Sequence, residues 1–232
     1  MSETAATAQT AFPRQPVLFC DFDGTITLSD NIVAIMKKFR PPGVEKIIDD
    51  IVHERVSIRE GVGAMFALLP SSLKEEIRGF VLETAGIRPG FGELLEWCES
   101  NGVPFYVTSG GIDFFVYPLL EPFGIPADHI YCNGSDFSGE RIRITWPHAC
   151  DEECGNDCGM CKTTVIRRFP RDEYYRILIG DSITDFAGAK LVDLVFSRSH
   201  LTEKCKELGL PHIPFETFHD IVRDLEIRAP KK

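Results

Sequence analysis

Residues 17–30 read VLFCDFDGTITLSD, and the fold turns on how that run ends. Val17, Leu18, Phe19 and Cys20 have the character of a buried strand, and they lead without a break into Asp21, Phe22, Asp23, Gly24 and Thr25. A buried strand that ends on two carboxylates needs something to neutralise them. Residues i and i+2 of a strand share a face, so Asp21 and Asp23 can point the same way while Phe22 packs inward.

Outward from this stretch, strands and helices alternate. Strand patterns recur at 103–108, 174–180 and 194–197. Helical patterns fit 91–100, stopped by Asn101-Gly102, then 112–121, 162–169 and 184–191, with two more near 201–208 and 216–227. The segments 129–137 and 141–146 flank Ser138-Gly139-Glu140 and predict a β-hairpin. Strand–helix alternation of this kind predicts an α/β fold, a mostly parallel, doubly wound sheet with helices on both faces. A helix starts near Asp30, with Ile32, Ile35, Met36 and Phe39 on one face, and Arg40-Pro41-Pro42-Gly43 interrupts it. From about 44 to 86 the pattern is helical throughout. Ser57-Ile58-Arg59-Glu60 and Ser72-Leu73-Lys74-Glu75 both have the form of a capping box. Ile58, Val62, Met65 and Leu69 fall on one helix face. The expected organisation is a tail (1–15), an α/β core (16–40 and 87–228, carrying the hairpin and a cysteine-rich segment at 130–161) and a small helical insert (41–86).

The bulk numbers narrow the function. The chain has 232 residues, of which 44% are apolar and 26% charged, an ordinary globular balance. Asp plus Glu number 35 against 25 Lys plus Arg, a formal charge of −10. That acidity argues against nucleic acid or an anionic membrane as partner. No run approaches the ~18 apolar residues of a membrane-spanning helix. MSETAATAQTAFPRQP at the start lacks the basic and apolar regions of a secretory signal. The expectation is a cytoplasmic protein, monomer or homodimer, whose eight cysteines are reduced, so that a cysteine cluster suggests metal before disulfide.

In doubly wound sheets ligands bind beyond the carboxyl ends of the strands. Three predicted strands end there on polar residues: Asp21-Phe22-Asp23-Gly24-Thr25, Thr108-Ser109-Gly110-Gly111 and Gly180-Asp181-Ser182-Ile183-Thr184-Asp185. Lys162 opens the helix before the third. If these strands are neighbours, Asp21, Asp23, Asp181 and Asp185 converge and repel unless cations offset them. A hard divalent ion such as Mg²⁺ fits oxygen ligands, and Lys162 supplies a further positive charge. Ser109 and the N–H groups of Gly110 and Gly111, read as a helix N-terminus, offer an anion site. Acids, metal, lysine and anion nest together describe phosphoryl transfer. Taken singly, each of these residues reads as a solvated loop acid or surface lysine; the ordered set does not.

In that order the four segments resemble the motifs of the haloacid dehalogenase superfamily. The resemblance implies a Rossmann-like core with a cap inserted after the first motif. It implies that Asp21 is the nucleophile, forming an aspartyl-phosphate, and that Asp23 is the general acid and base. Dehalogenases lack the second aspartate and the ion pumps carry threonine there, so Asp23 favours a phosphatase or mutase. By the same matching Asp21, the carbonyl of Asp23, Asp181 and Asp185 hold Mg²⁺, while Ser109, Gly110 and Lys162 grip the phosphoryl oxygens. A cap in this position closes over the site, which implies a small phosphorylated metabolite as substrate.

DNIVAIMKKF, IREGVGAMFALLPSSLKEEI, SGGIDFFVYPLL and WPHACDEECGNDCGMCK are similar to the branch of the superfamily that works in methionine salvage. They imply hydrolysis of 2-hydroxy-3-keto-5-methylthiopentenyl-1-phosphate to 1,2-dihydroxy-3-keto-5-methylthiopentene. The phosphoserine branch is the alternative. Met65 and Phe66 either line a thioether pocket or simply pack the insert. Cys150, Cys154, Cys158 and Cys161 crowd just before Lys162, with His148 upstream. Four thiolates could close a structural Zn²⁺ site, although only the last pair has the common two-residue gap; free thiols and reversible disulfides are the alternatives. The spacing of the last three also matches radical enzymes with an iron–sulfur cluster, a competing function, and a catalytically dead binding module on the same fold is another.

Overall fold

The structure, a computed structural model, describes residues 12–229. Among these, seven strands form one sheet: β1 (Gln15–Cys20), β2 (Phe105–Ile112), β3 (Ile130–Asp136), β4 (Arg143–Thr145), β5 (Tyr174–Gly180), β6 (Leu194–Ser197) and β7 (His212–Pro214). Their order is β4-β3-β2-β1-β5-β6-β7, and all neighbours are parallel except β3 and β4. The chain fills one side of β1 with β2 and β3, then crosses to fill the other with β5, β6 and β7. The reversal at β1 leaves a crevice at the carboxyl ends of β1, β2 and β5, where the polar strand ends meet.

The helices are α1 (Asn31–Phe39), α2 (Val44–Val52), α3 (Ile58–Ala67), α4 (Lys74–Thr84), α5 (Phe91–Asn101), α6 (Asp113–Leu120), α7 (Lys162–Arg167), α8 (Phe186–Ala189), α9 (Ser199–Leu208) and α10 (Phe218–Arg228). Alternation along β1 divides the core in two. Leu18 and Cys20 pack with Phe91 of α5 and Phe218 of α10, whereas Val17 and Phe19 pack with Val165 of α7, Ala189 of α8 and Leu201 of α9. A strand buried on both faces must be apolar throughout, which is what 17–20 supplies. No helix among the described residues is long and apolar enough to cross a membrane.

Helices α1–α4 lie between two stems that pair with each other. Thr27 bridges Ile87, Leu28 N donates to Gly86 O at 2.8 Å, and Arg88 N donates to Ile26 O at 2.8 Å. The expected boundary at 41 would assign α1 to the core, but Phe39 of α1 packs edge-on against Phe80 of α4 at 6.1 Å, on the insert side of the stems. The insert also meets the hairpin: Ser71 N donates to Glu140 O, and Ile142 N to Leu69 O. Met65 and Phe66 are buried in the common core, Phe66 edge-on to Phe114 of α6. The residues Phe12 and Arg14, expected in a loose tail, are anchored: Phe12 lies 5.4 Å from the Tyr175 ring and Arg14 pairs with Asp193 at 3.0 Å. The rest of that tail, 1–11, falls outside the described residues.

Three local expectations need correction. The box at Ser57 forms, with Ser57 Oγ accepting from Glu60 N and Glu60 bonded back to Ser57 N, but the box at Ser72 does not. Ser71–Leu73 is a single 3₁₀ turn and α4 starts at Lys74 with no side-chain cap. Pairing of 69–71 with the hairpin tip fixes the backbone ahead of Ser72 and outweighs the local cap. Second, β2 does not stop at 108 but continues to Ile112, because Ile112 pairs with Asn133 of β3 and Asn133 Nδ2 donates to Gly110 O at 2.7 Å. Gly110 and Gly111 therefore belong to an irregular strand, not to a helix N-terminus. Third, β7 has no counterpart in the sequence reading; it is three residues long and pairs on one side only.

Ser57→Ala should lower unfolding stability by about 1–2 kcal/mol, since it removes a working cap, while Ser72→Ala should stay within about 0.5 kcal/mol of the parent. Urea unfolding midpoints of the two variants check this; equal losses would contradict it.

Candidate active site

The loop after β1 is shaped from below. Asp21 N donates to Ile179 O at 2.8 Å, Phe22 is fully buried, and Gly24 takes a φ of 79°. A Cβ on Gly24 would lie 2.6 Å from Asp181 Oδ2, so both the backbone angle and the approach of Asp181 require glycine. Arg88, on the second stem, clamps the loop from behind: Nε donates to Thr25 O at 2.7 Å and Nη2 to Gly24 O at 2.8 Å. Its buried guanidinium holds carbonyls here rather than a carboxylate.

Charge concentrates just beyond the strand ends. Asp21, Asp185 and Lys162 are 3%, 0% and 5% exposed. Lys162 Nζ reaches Asp21 Oδ1 at 2.6 Å and Asp185 Oδ1 at 2.5 Å. Asp185 Oδ2 accepts from the backbone N–H of Asp181 and of Ser182, both at 3.1 Å. Thr25 Oγ1 lies 3.1 Å from Asp181 Oδ1 and 3.4 Å from Asp21 Oδ2. Burial pushes the Asp21 carboxyl well above the usual range and Lys162 opposes that shift. Burial, then the neighbouring Asp185, raises Asp181. Burial alone would lower Lys162, but Asp185 and Asp21 outweigh it and hold the ammonium above the ordinary lysine value.

Oxygens of Asp21, Asp181 and Asp185 lie within 4.8 Å of one another. Hard, converging carboxylate oxygens fit a small divalent cation such as Mg²⁺. The Asp23 carboxylate stands apart from this trio. Its Oδ1 accepts from Asn31 N at 3.0 Å and Asn31 Nδ2 at 2.7 Å, and burial raises its pKa to about 7. A carboxyl poised there can carry a proton at neutral pH and give it up again. Ser109 is fully buried, its Oγ accepting from Gly111 N at 2.8 Å. A Cβ on Gly111 would sit 2.7 Å from Asp23 Oδ2 and 2.9 Å from Ser109 Oγ, so these two side chains meet at that one backbone position. The crevice thus gathers Asp21, Asp23, Ser109, Lys162, Asp181 and Asp185. Gly110, expected to face an anion with its N–H, lies in β2 with its carbonyl bonded to Asn133.

Asn31, Thr25 and Arg88 escaped the sequence reading. Thr25 stood inside the quoted motif, but nothing in its spacing marks it as a bridge between Asp21 and Asp181. Asn31 follows the N-cap Asp30, where a polar residue reads as helix-start chemistry. Arg88 reads as part of the Arg-Pro-Gly loop that ends the insert; its role depends on stem pairing, which no local pattern announces.

A doubly wound sheet with this carboxylate–lysine crevice defines a class, and comparison with known proteins agrees. The chain belongs to the haloacid dehalogenase-like hydrolases, whose family model matches residues 18–190. Within that class two similar curated relatives carry the same description. The 2-hydroxy-3-keto-5-methylthiopentenyl-1-phosphate phosphatase of Brevibacillus brevis is 58% identical over 90% of this chain and 95% of its own length. The protein so named from Geobacillus kaustophilus is 59% identical, covering 92% and 96%. Among solved structures, a phospho-aspartyl intermediate analogue of phosphoserine phosphatase superposes with a TM-score of 0.68 at 16% identity, covering 91% of this chain and 99% of that one. A substrate-bound phosphoserine phosphatase complex gives 0.67 at 16% identity, covering 92% and 100%. At such identity the likeness is one of fold.

Gly111→Ala should cost about 100-fold in turnover, the scale expected when reacting groups are displaced by about 1 Å. It should also lower the thermal midpoint by a few degrees, since the same Cβ would lie 2.9 Å from Cγ2 of the buried Val116. Steady-state kinetics beside a melting curve test this; an unimpaired enzyme would show that Asp23 and Ser109 need no such close approach.

Proposed function

We propose that the protein is a Mg²⁺-dependent phosphatase of a small metabolite, and that the metabolite is 2-hydroxy-3-keto-5-methylthiopentenyl-1-phosphate. The observation that carries the chemistry is the Lys162 ammonium bound to one oxygen of Asp21. It steadies Oδ1 and leaves Oδ2 as the attacking atom. Oδ2 forms a bond to phosphorus as the bond to the leaving oxygen breaks, and Asp23 gives that oxygen its proton. Water then attacks the aspartyl-phosphate, Asp23 takes the proton, and inorganic phosphate leaves with Asp21 restored. Asn31 holds Asp23 in place for both transfers. Ser109 and Lys162 bind the phosphoryl oxygens.

Asp21, the carbonyl of Asp23 and Asp181 would hold Mg²⁺, which when bound offsets the carboxylate charge and polarises the phosphoryl group. Asp185 has both oxygens committed, to Lys162 and to the 181–182 backbone; we assign it the orientation of Lys162 and of the Asp181 turn. Helices α1–α4 are read as a cap over the crevice, closing about the paired stems and excluding bulk water during attack.

Two features favour the methylthio substrate over phosphoserine. The relatives that carry that description match nearly the whole chain at 58–59% identity. Further, the arginines of the insert are already engaged: Arg40 with Lys37 O, Arg55 with Asp49 and Asp50, Arg59 with Asp157, and Arg78 with Glu75. An amino-acid carboxylate would want one of them free.

Asp21→Asn should reduce release of phosphate from p-nitrophenyl phosphate by roughly 10³ or more, and EDTA should abolish the parent activity until Mg²⁺ is restored. A fully active Asp21→Asn enzyme would refute the nucleophile. On a panel of phosphorylated metabolites, kcat/KM for the methylthio-enol phosphate should exceed that for phosphoserine by about 100-fold or more. The reverse order would overturn the substrate and leave the mechanism standing.

A further inference from the structure

The loop between β4 and α7 carries four cysteines and no strand or long helix of its own. A connection of this length, without a secondary-structure element, needs something else to hold it. Its apolar burial is slight, confined mainly to Met160 and Cys161. The Sγ atoms of Cys150, Cys154, Cys158 and Cys161 nevertheless all lie within 4.8 Å of one another, and Cys154 and Cys158 are 3.9 Å apart. None of the four is disulfide-bonded. Four thiolates around a tetrahedral zinc, each about 2.3 Å from the ion, stand about 3.8 Å apart.

The backbone is shaped to present them. Asp157 and Gly159 flank Cys158 with φ values of 49° and 82°. A Cβ on Gly159 would lie 2.8 Å from the Trp146 ring, so that turn admits only glycine. Cys158 N points at Cys150 Sγ, 3.4 Å away, and Cys161 N donates to His148 O at 2.8 Å. The His148 ring packs edge-on against Tyr131 at 5.0 Å and is not a fifth candidate ligand. An all-sulfur set selects a soft ion and differs in kind from the carboxylate crevice.

We propose that Cys150, Cys154, Cys158 and Cys161 bind one structural Zn²⁺ as a tetrathiolate knot. Zinc enters as the divalent ion, the four thiols lose their protons to solvent, and no oxidant is required. The spacing encloses a single ion; a multi-iron cluster would spread its cysteine sulfurs further apart. The knot has two mechanical outputs. Lys162 follows Cys161 directly and begins α7. Asp157, inside the knot, accepts from Ser57 Oγ at 2.6 Å and pairs with Arg59 at 3.1 Å, both on the α3 end of the insert. One ion therefore fixes the loop that carries the catalytic lysine and docks the insert.

The full chain, purified without chelator or an immobilised-metal column, should contain one equivalent of zinc by elemental analysis. Exchange into Co²⁺ should give intense sulfur-to-metal absorption in the near ultraviolet and ligand-field bands in the red. Those bands should vanish in Cys154→Ser and Cys158→Ser and survive in Asp181→Asn. Should the cysteine variants fail to fold, the parent protein decides: an organomercurial should release zinc to a chromophoric chelator as the thiols react. Zinc-free protein whose loop thiols react freely, cobalt without sulfur absorption, or stoichiometric iron with visible colour would each overturn the site. None of these readouts depends on phosphatase activity, so failure of the zinc site and failure of the proposed function are distinguishable.

Discussion

The buried contact of Lys162 with Asp21 and Asp185 is the interaction that the crevice depends on. Asp21, Asp181 and Asp185 bring three negative charges and Lys162 one positive, so the group is left two charges short of neutrality. That remainder equals the charge of one divalent cation. At an effective dielectric constant near 20, a pair of charges about 4 Å apart is worth about 4 kcal/mol, so the lysine is not dispensable for keeping these acids ionised. Removing one partner from such a buried pair leaves the other uncompensated, at a cost of about 3–5 kcal/mol. The same constraint explains the surrounding backbone. Gly180 brings Asp185 against the strand end, where a Cβ would lie 2.5 Å from its carboxyl carbon, and Gly24 admits Asp181.

Much of this was legible in the sequence because it is written locally. The run from Val17 to Asp23 declares a strand buried on both faces that ends in chemistry, and the Gly-Asp-Ser segment at 180 declares another. Strands at 174–180 and 194–197 coincide with β5 and β6. What was not legible depends on contacts between distant segments. The cap expected at Ser72 lost to the pairing of Leu69 and Ser71 with the hairpin. The helix start expected at Gly110 lost to the pairing of β2 with β3. Arg88 and Asn31 acquire their parts only when the stems close. The converging carboxylates were inferable from strand order alone, whereas the separation of Asp23 from the other three, through Asn31, was not.

The two kinds of kinship carry different weight. The phosphoserine phosphatase structures superpose over 91–92% of this chain at 16% identity, which speaks for architecture. The curated relatives match at 58–59% identity over nine-tenths of this chain, which speaks for more than architecture. The insert meets the hairpin along a seam, where Ser71 N donates to Glu140 O and Ile142 N to Leu69 O. Along that seam runs a groove of about 680 Å³ lined by Arg59, Arg141, Arg143 and Trp146, which contains none of the four crevice carboxylates.

The paired stems have a further mechanical meaning. Residues 26–28 and 86–88 are hydrogen-bonded to each other, and Arg88 is bonded in turn to the carbonyls of Gly24 and Thr25. The two chain ends of the four-helix segment are thus joined into one axle rather than acting as independent tethers, while the hairpin and Asp157 hold its far side. That axle bears on the loop that presents Asp21 and Asp23, so a shift of the stems would be felt first at those two residues.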